Sequence, residues 1–147
     1  MNKFNGVILA LASLALVSCG GGGESAKKNA ESGNVIQAEK AKTADQAVEV
    51  YAVHLNRIAD AVEAIESESD ADKAAKVIAE ATGEFEILVD KFQGANQMQL
   101  AMAFAKQAGE LGQPQMRIAT AVQKLASENP EYLERIEDAL RDMPEMR

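Results

Sequence analysis

Few side chains in this 147-residue sequence could do chemistry, and their spacing decides what each could do. Cys19 is the only cysteine, so it cannot form a disulfide within the chain. His54 is the only histidine, and a metal pair on a helix would need a second ligand three or four residues away. Those places hold Val50, Tyr51, Arg57 and Ile58, and the Glu-x-x-His spacing of di-iron bundles is broken by Tyr51. His54 is therefore expected as a half-exposed interfacial residue, with metal or pH sensing as the sharper alternative. Met98 and Met102 lie four apart with Met116 further along, a thioether spacing that could hold Cu(I). Methionine is equally common as core filler.

The carboxylates give less. Glu66, Glu68, Asp70 and Asp72 alternate as in a calcium loop. Counted from Glu68, however, the sixth place is Lys73 and the twelfth Ala79, where a glycine and a bidentate glutamate are required. Helix-capping carboxylates in a solvated turn fit better. Glu80, Glu84 and Glu86 could be paired as acid and base, but the spacing suits an exposed acidic face. No Gly-rich phosphate cradle and no local Ser-His-Asp signature occurs. The expectation is a protein without catalytic residues or cofactor.

Cys19 has a more specific setting. Lys3 is followed by an eleven-residue apolar segment, Val7 to Val17, about half the length a membrane-spanning helix needs. The sequence then reads Leu16-Val17-Ser18-Cys19, which resembles the lipobox of bacterial lipoproteins. In that family the cysteine thiol receives a diacylglycerol, the leader is cut before it, and the new amino terminus is acylated, commonly with palmitate. The resemblance implies that Cys19 is the lipidation site and that residues 1–18 are a cleaved signal peptide. Buried methylenes contribute about 0.8 kcal/mol each, so two or three acyl chains would anchor the protein permanently. Gly20 follows the cysteine where an aspartate would resemble an inner-membrane retention signal, so the outer membrane is the favoured location.

The elements that carry these residues follow from composition. From Gly20 to about Ala38 the chain is Gly, Ser, Asn, Lys and Glu with almost nothing apolar, so residues 19–40 are expected to be a lipidated terminus and flexible linker. Such a leash has an end-to-end distance of about 25 Å and a contour of roughly 60–70 Å. The helical domain is expected over 41–143, with a tail at 144–147. Ala41, Ala44, Val48, Tyr51, Leu55, Ile58, Val62 and Ile65 alternate spacings of three and four, the stripe of a long helix. Ser69 and Asp72 fit a capping box for a second helix, whose stripe is Ala71, Ala74, Ile78, Ala81, Phe85, Leu88 and Phe92, closed by Gly94.

A third helix from Asn96 carries Ala101, Phe104, Ala108, Leu111, Ile118, Val122 and Leu125, with Gln115 filling the gap in phase. Pro114 either kinks it or splits it, and the preserved phase favours a kink. Asn129-Pro130 then opens a short helix with Leu133, Ile136, Leu140 and Met143. The expected fold is all-α, an antiparallel helical bundle of three long helices plus a short C-terminal one, with alanines allowing close helix approach.

Net charge is −8, and without residues 1–18 the chain keeps 14 basic and 23 acidic side chains. Phosphate backbones repel such a body, so nucleic acid is not an expected partner. The stretch from "HLNRIADAVEAI" through "DADKAAKVIAEATGEFEILVDKF" resembles small exported helical proteins of unassigned function. The chain differs from murein lipoproteins, since it closes on Met146-Arg147 where they carry a wall-linked lysine. It also lacks the Leu-Thr-x-x-Gln repeat of helical periplasmic chaperones. The expected role is a non-enzymatic interaction or scaffold module held on the membrane by its lipid, with a protein partner in the cell envelope. A small-ligand or metal-binding module is the alternative, and self-association through the stripes is open.

Overall fold

The computed structural model describes residues 37–92, 94 and 97–144, and these form an all-α protein. A 3-10 turn, Ala38–Lys40, leads into α1 (Ala44–Glu63), α2 (Glu68–Lys91), α3 (Gln97–Glu128) and α4 (Pro130–Arg141). No strand occurs among the described residues. Cys19 and the segments expected as leader and leash, up to residue 36, lie outside them.

Each start has a local cause. Thr43 caps α1, its Oγ1 accepting from the Gln46 amide at 3.2 Å, while the Gln46 side chain turns back to accept from the Lys42 amide at 2.8 Å. This reciprocal pair begins α1 at Ala44, three residues after the expected start of the stripe. α2 is capped by Ser67 and not by Ser69: the Ser67 hydroxyl accepts from the Asp70 amide at 3.3 Å and donates to its carboxylate at 2.6 Å. Asp72 is engaged elsewhere, with Arg135 at 2.9 Å. Asn129 is the N-cap residue of α4 with Pro130 at the first helical place, though the Asn129 side chain makes no capping bond.

α1 packs against both α3 and α2, and α2 packs against α4. Burial on α1 is correspondingly wide: Ala47, Val50, His54 and Ala59 are buried together with Val48, Leu55, Ile58 and Val62. Asp45 meets Lys106 at 3.9 Å, and further along both helices Asp60 meets Arg117 at 2.6 Å, so α1 and α3 run the same way. Arg57 meets Glu80 at 3.3 Å while Tyr51 stacks on Phe85, which gives α2 the opposite direction. These exposed pairs are worth about 0–1 kcal/mol each; they mark register more than they stabilise.

On α2 all seven stripe residues are buried. Phe85 is the largest, its ring centroid 4.5 Å from that of Tyr51, which meets Phe104 edge-on at 5.2 Å. Full burial of such a side chain contributes about 1.5–3 kcal/mol. On α3 the observed stripe is Leu100, Ala103, Leu111, Pro114, Ile118, Ala121 and Leu125. Ala101 and Ala108 are exposed, and the place given to Gln115 belongs to Pro114. Gln115 is half-buried and hydrogen-bonded to the Tyr51 side chain. Helix α3 continues through Pro114, which cannot donate to the Glu110 carbonyl one turn back. Helix α4 buries Leu133, Ile136 and Leu140, with Met143 packed at the edge.

Candidate functional site

The most distinctive polar arrangement is where the chain enters the helical domain. Ala38 and Ala41 are fully buried, so among the described residues packing reaches back to Ala38, inside the stretch expected as linker. The Ala38 amide donates to Glu84 Oε2 at 2.6 Å, and Lys91 Nζ donates to the Ala38 carbonyl at 3.4 Å and to the Glu39 carbonyl at 2.5 Å. Glu84 and Lys91 stand two turns apart on one face of α2 and hold the turn from both sides. Bonds to charged groups are the stronger class, about 1.5–3 kcal/mol where shielded.

Beside this strap sits His54. It is 3% exposed, so the half-exposed position expected for it is corrected: α2 covers the face of α1 that carries it. Its ring stands edge-on to Phe85 with centroids 6.0 Å apart. Arg57 Nη1 lies 3.4 Å from Nδ1, and since a guanidinium can only donate, Nδ1 accepts and the neutral ring carries its proton on Nε2. Nε2 and the Thr82 hydroxyl are buried without a hydrogen-bond partner. Burial first, and the Arg57 charge second, push the His54 pKa down, against the opposing pull of Glu84 and Glu80.

The candidates of the sequence are not brought together. His54 is enclosed between α1 and α2, whereas Met98, Met102 and Met116 are exposed on α3. No group of three or more His, Cys, Asp or Glu able to hold a metal occurs among the described residues. The acidic alternation is dispersed into separate duties: Asp70 belongs to the α2 cap, and Glu68 and Asp72 both meet Arg135 at 2.9 Å. Hydrogen bonds from Ser67 and then Lys73 lower the Asp70 pKa. Glu80 faces Arg57 and Glu84 holds the strap, so the two do not form an acid and base pair.

A second clamp escaped the sequence reading. Arg117 on α3 donates through Nε to Glu63 Oε1 at 2.9 Å and through Nη2 to Asp60 Oδ1 at 2.6 Å. The Arg117 hydrogen bond lowers the Glu63 pKa, and both carboxylates hold the guanidinium protonated. Only the Asp60 and Glu63 spacing on one helix hinted at it; the register that delivers Arg117 has no local signature. Among the described residues no helix is long and apolar enough to cross a membrane. Comparison of the chain with protein-family models, curated proteins and solved structures gives no match in any of the three.

Proposed function

We propose that this chain is a lipid-anchored bacterial envelope protein whose acidic helical head is a non-enzymatic interaction or scaffold module, with the outer membrane as its site. The observation that carries the reading is the succession of Lys3, the Val7 to Val17 apolar segment and Leu16-Val17-Ser18-Cys19. In this reading residues 1–18 are removed, Cys19 carries the acyl chains, and the polar stretch that follows is a leash. The head is an antiparallel bundle with α3 bent at Pro114.

The strap gives this reading a mechanical counterpart. A tethered head needs its junction fastened, because any pull along the leash reaches the first packed residue. Among the described residues that is Ala38, bonded to Glu84 with its carbonyl under Lys91, so tension passes into α2 and its buried stripe. The head carries no charge pattern suited to a phosphate backbone, and its exposed carboxylates suit a basic protein surface.

Metabolic labelling with palmitate tests the anchor. The full-length chain should take up label and partition with detergent, and Cys19→Ser should do neither; an unlabelled wild-type chain would remove the reading. Crosslinking of the anchored protein in intact cells tests the head. A reproducible envelope partner, lost on Cys19→Ser, is the expected result, and no reproducible partner would overturn the scaffold role.

A further inference from the structure

The three exposed large hydrophobic side chains among the described residues are Met98, Met102 and Met116, 71%, 57% and 71% exposed. All lie on one face of one helix. With Ala105, Gly109 and Gly112 they alternate spacings of four and three along α3, on the side turned away from Leu111, Pro114 and Ile118. No charged residue falls on this line. Lys106 and Arg117 leave it to meet Asp45, Asp60 and Glu63 of α1.

Two observations say that the face is built for contact. The first concerns the glycines. A Cβ at Gly109 or Gly112 would meet nothing within 4 Å, and neither glycine has positive φ, so nothing inside the molecule requires them. Each weakens the helix by about 1 kcal/mol relative to alanine. Gly83 on α2 is equally open but is bracketed by Glu80 and Glu86. The second is charge. α3 carries three basic and two acidic residues, whereas α1, α2 and α4 each carry more acid than base. In a chain of net charge −8, α3 is where a second copy meets least repulsion.

We infer that the Met98–Met116 face of α3 binds the same face of a second copy of this chain, antiparallel, about a two-fold axis level with Gln107. That axis sets Met98 opposite Met116, Met102 opposite Gly112, and Ala105 opposite Gly109. Each Met102 thioether then fills the notch left by a Gly112, while Ala105 and Gly109 let the helices approach closely. The symmetry is isologous, as in most homodimers. The strip is about 27 Å long. With about 10 Å of helix width on each copy it covers roughly 500 Å² of total surface, below the size of stable specific interfaces, so the association is weak and reversible. The inference is independent of lipidation, since no part of the face involves Cys19.

The full-length Cys19→Ser chain in density-matched detergent is the material for the test. Sedimentation equilibrium should show a monomer–dimer equilibrium, and Met102→Glu should weaken it at least tenfold while leaving helical content and the unfolding midpoint unchanged, both unfolding comparisons being made at a dilution where the chain is monomeric. Gly112→Ala should raise the unfolding midpoint yet weaken the dimer, opposite signs that a merely structural role would not give. In oxidative crosslinking in that background, Met98→Cys should pair with Met116→Cys when the two proteins are mixed, and neither should pair with itself. A chain that stays monomeric at millimolar concentration, a dimer indifferent to Met102→Glu, or self-pairing of Met98→Cys would each overturn the proposal.

Discussion

Helices α2 and α3 present the same alternation of threes and fours in different surroundings. On α2 the seven apolar places from Ala71 to Phe92 are all buried, and Asp72, Lys73, Lys76, Glu80, Glu86 and Asp90 occupy the exposed surface. On α3 the buried line runs from Leu100 to Leu125, while a second line from Met98 to Met116 is exposed and also uncharged. An apolar period fixes which side of a helix turns inward only when charge marks the other side. α2 has that mark and α3 does not.

The sharpest way to test this difference is to truncate one large side chain on each helix. Phe85→Ala removes a ring that is 1% exposed and touches both Tyr51 and His54, and should cost about 3–5 kcal/mol. Met102→Ala, on the open line of α3, should change monomer stability by less than about 0.5 kcal/mol. Urea unfolding measures both. Comparable losses would mean that the outer line of α3 is covered within the molecule and that the two helices do not differ in kind.

The same contrast explains what was legible in the residues. The all-α class, the number of helices and the whole α2 stripe follow from periodicity, because burial and charge agree at each position there. The α3 phase slipped because Ala101 and Ala108 are as apolar as Ala103, and alanine carries little information about which way it faces. The preserved phase predicts a single α3 through Pro114, and the helix is continuous there; the buried place falls to the Pro114 ring and not to Gln115, because a proline in a helix is as able as an apolar side chain to face the core. The α2 cap was misplaced by two residues because Ser67 and Ser69 both precede an aspartate at the right spacing. Only the fold assigns Asp72 to Arg135. The strap was hidden for a related reason: Ala38 and Glu84 are 46 residues apart, and no local pattern announces a contact at that separation.

The strap makes α2 a fastening element as well as a core element, a duty α3 does not share. Glu84→Ala removes the acceptor of the Ala38 amide and should release the turn at a cost of about 1–2 kcal/mol. Hydrogen exchange should show faster exchange at Ala38, Lys40 and Ala41 with little change in the interior of α3. Unchanged exchange would show that burial of Ala38 and Ala41 suffices. Ser67→Ala should cost about 1 kcal/mol by removing the cap acceptor, whereas Ser69→Ala should be nearly neutral. Thermal unfolding of the two variants distinguishes the assigned cap from the one the sequence suggested.

The smallest expected effect is a dependence on pH, confined to the α1–α2 side. His54 is held neutral by burial and by Arg57, with Glu84 and Glu80 opposing, so its folded pKa lies below the ordinary 6.5. Between the folded and unfolded values the unfolded chain binds more protons, and stability therefore rises with pH across that window. As pH falls from 7 through 6.5 and below, the head should lose stability until the folded histidine also titrates. The carboxylates with lowered pKa, Glu63 and Asp70, act at lower pH and add a separate decline there. His54→Leu should flatten the upper part of the profile and leave the lower part intact, as read from urea midpoints between pH 4 and 8. Because α3 presents no titrating group on its Met98–Met116 line, association through that face should not change with pH over the same upper window. If both quantities shifted together, the division between a titrating α1–α2 interface and a neutral outer α3 face would fail.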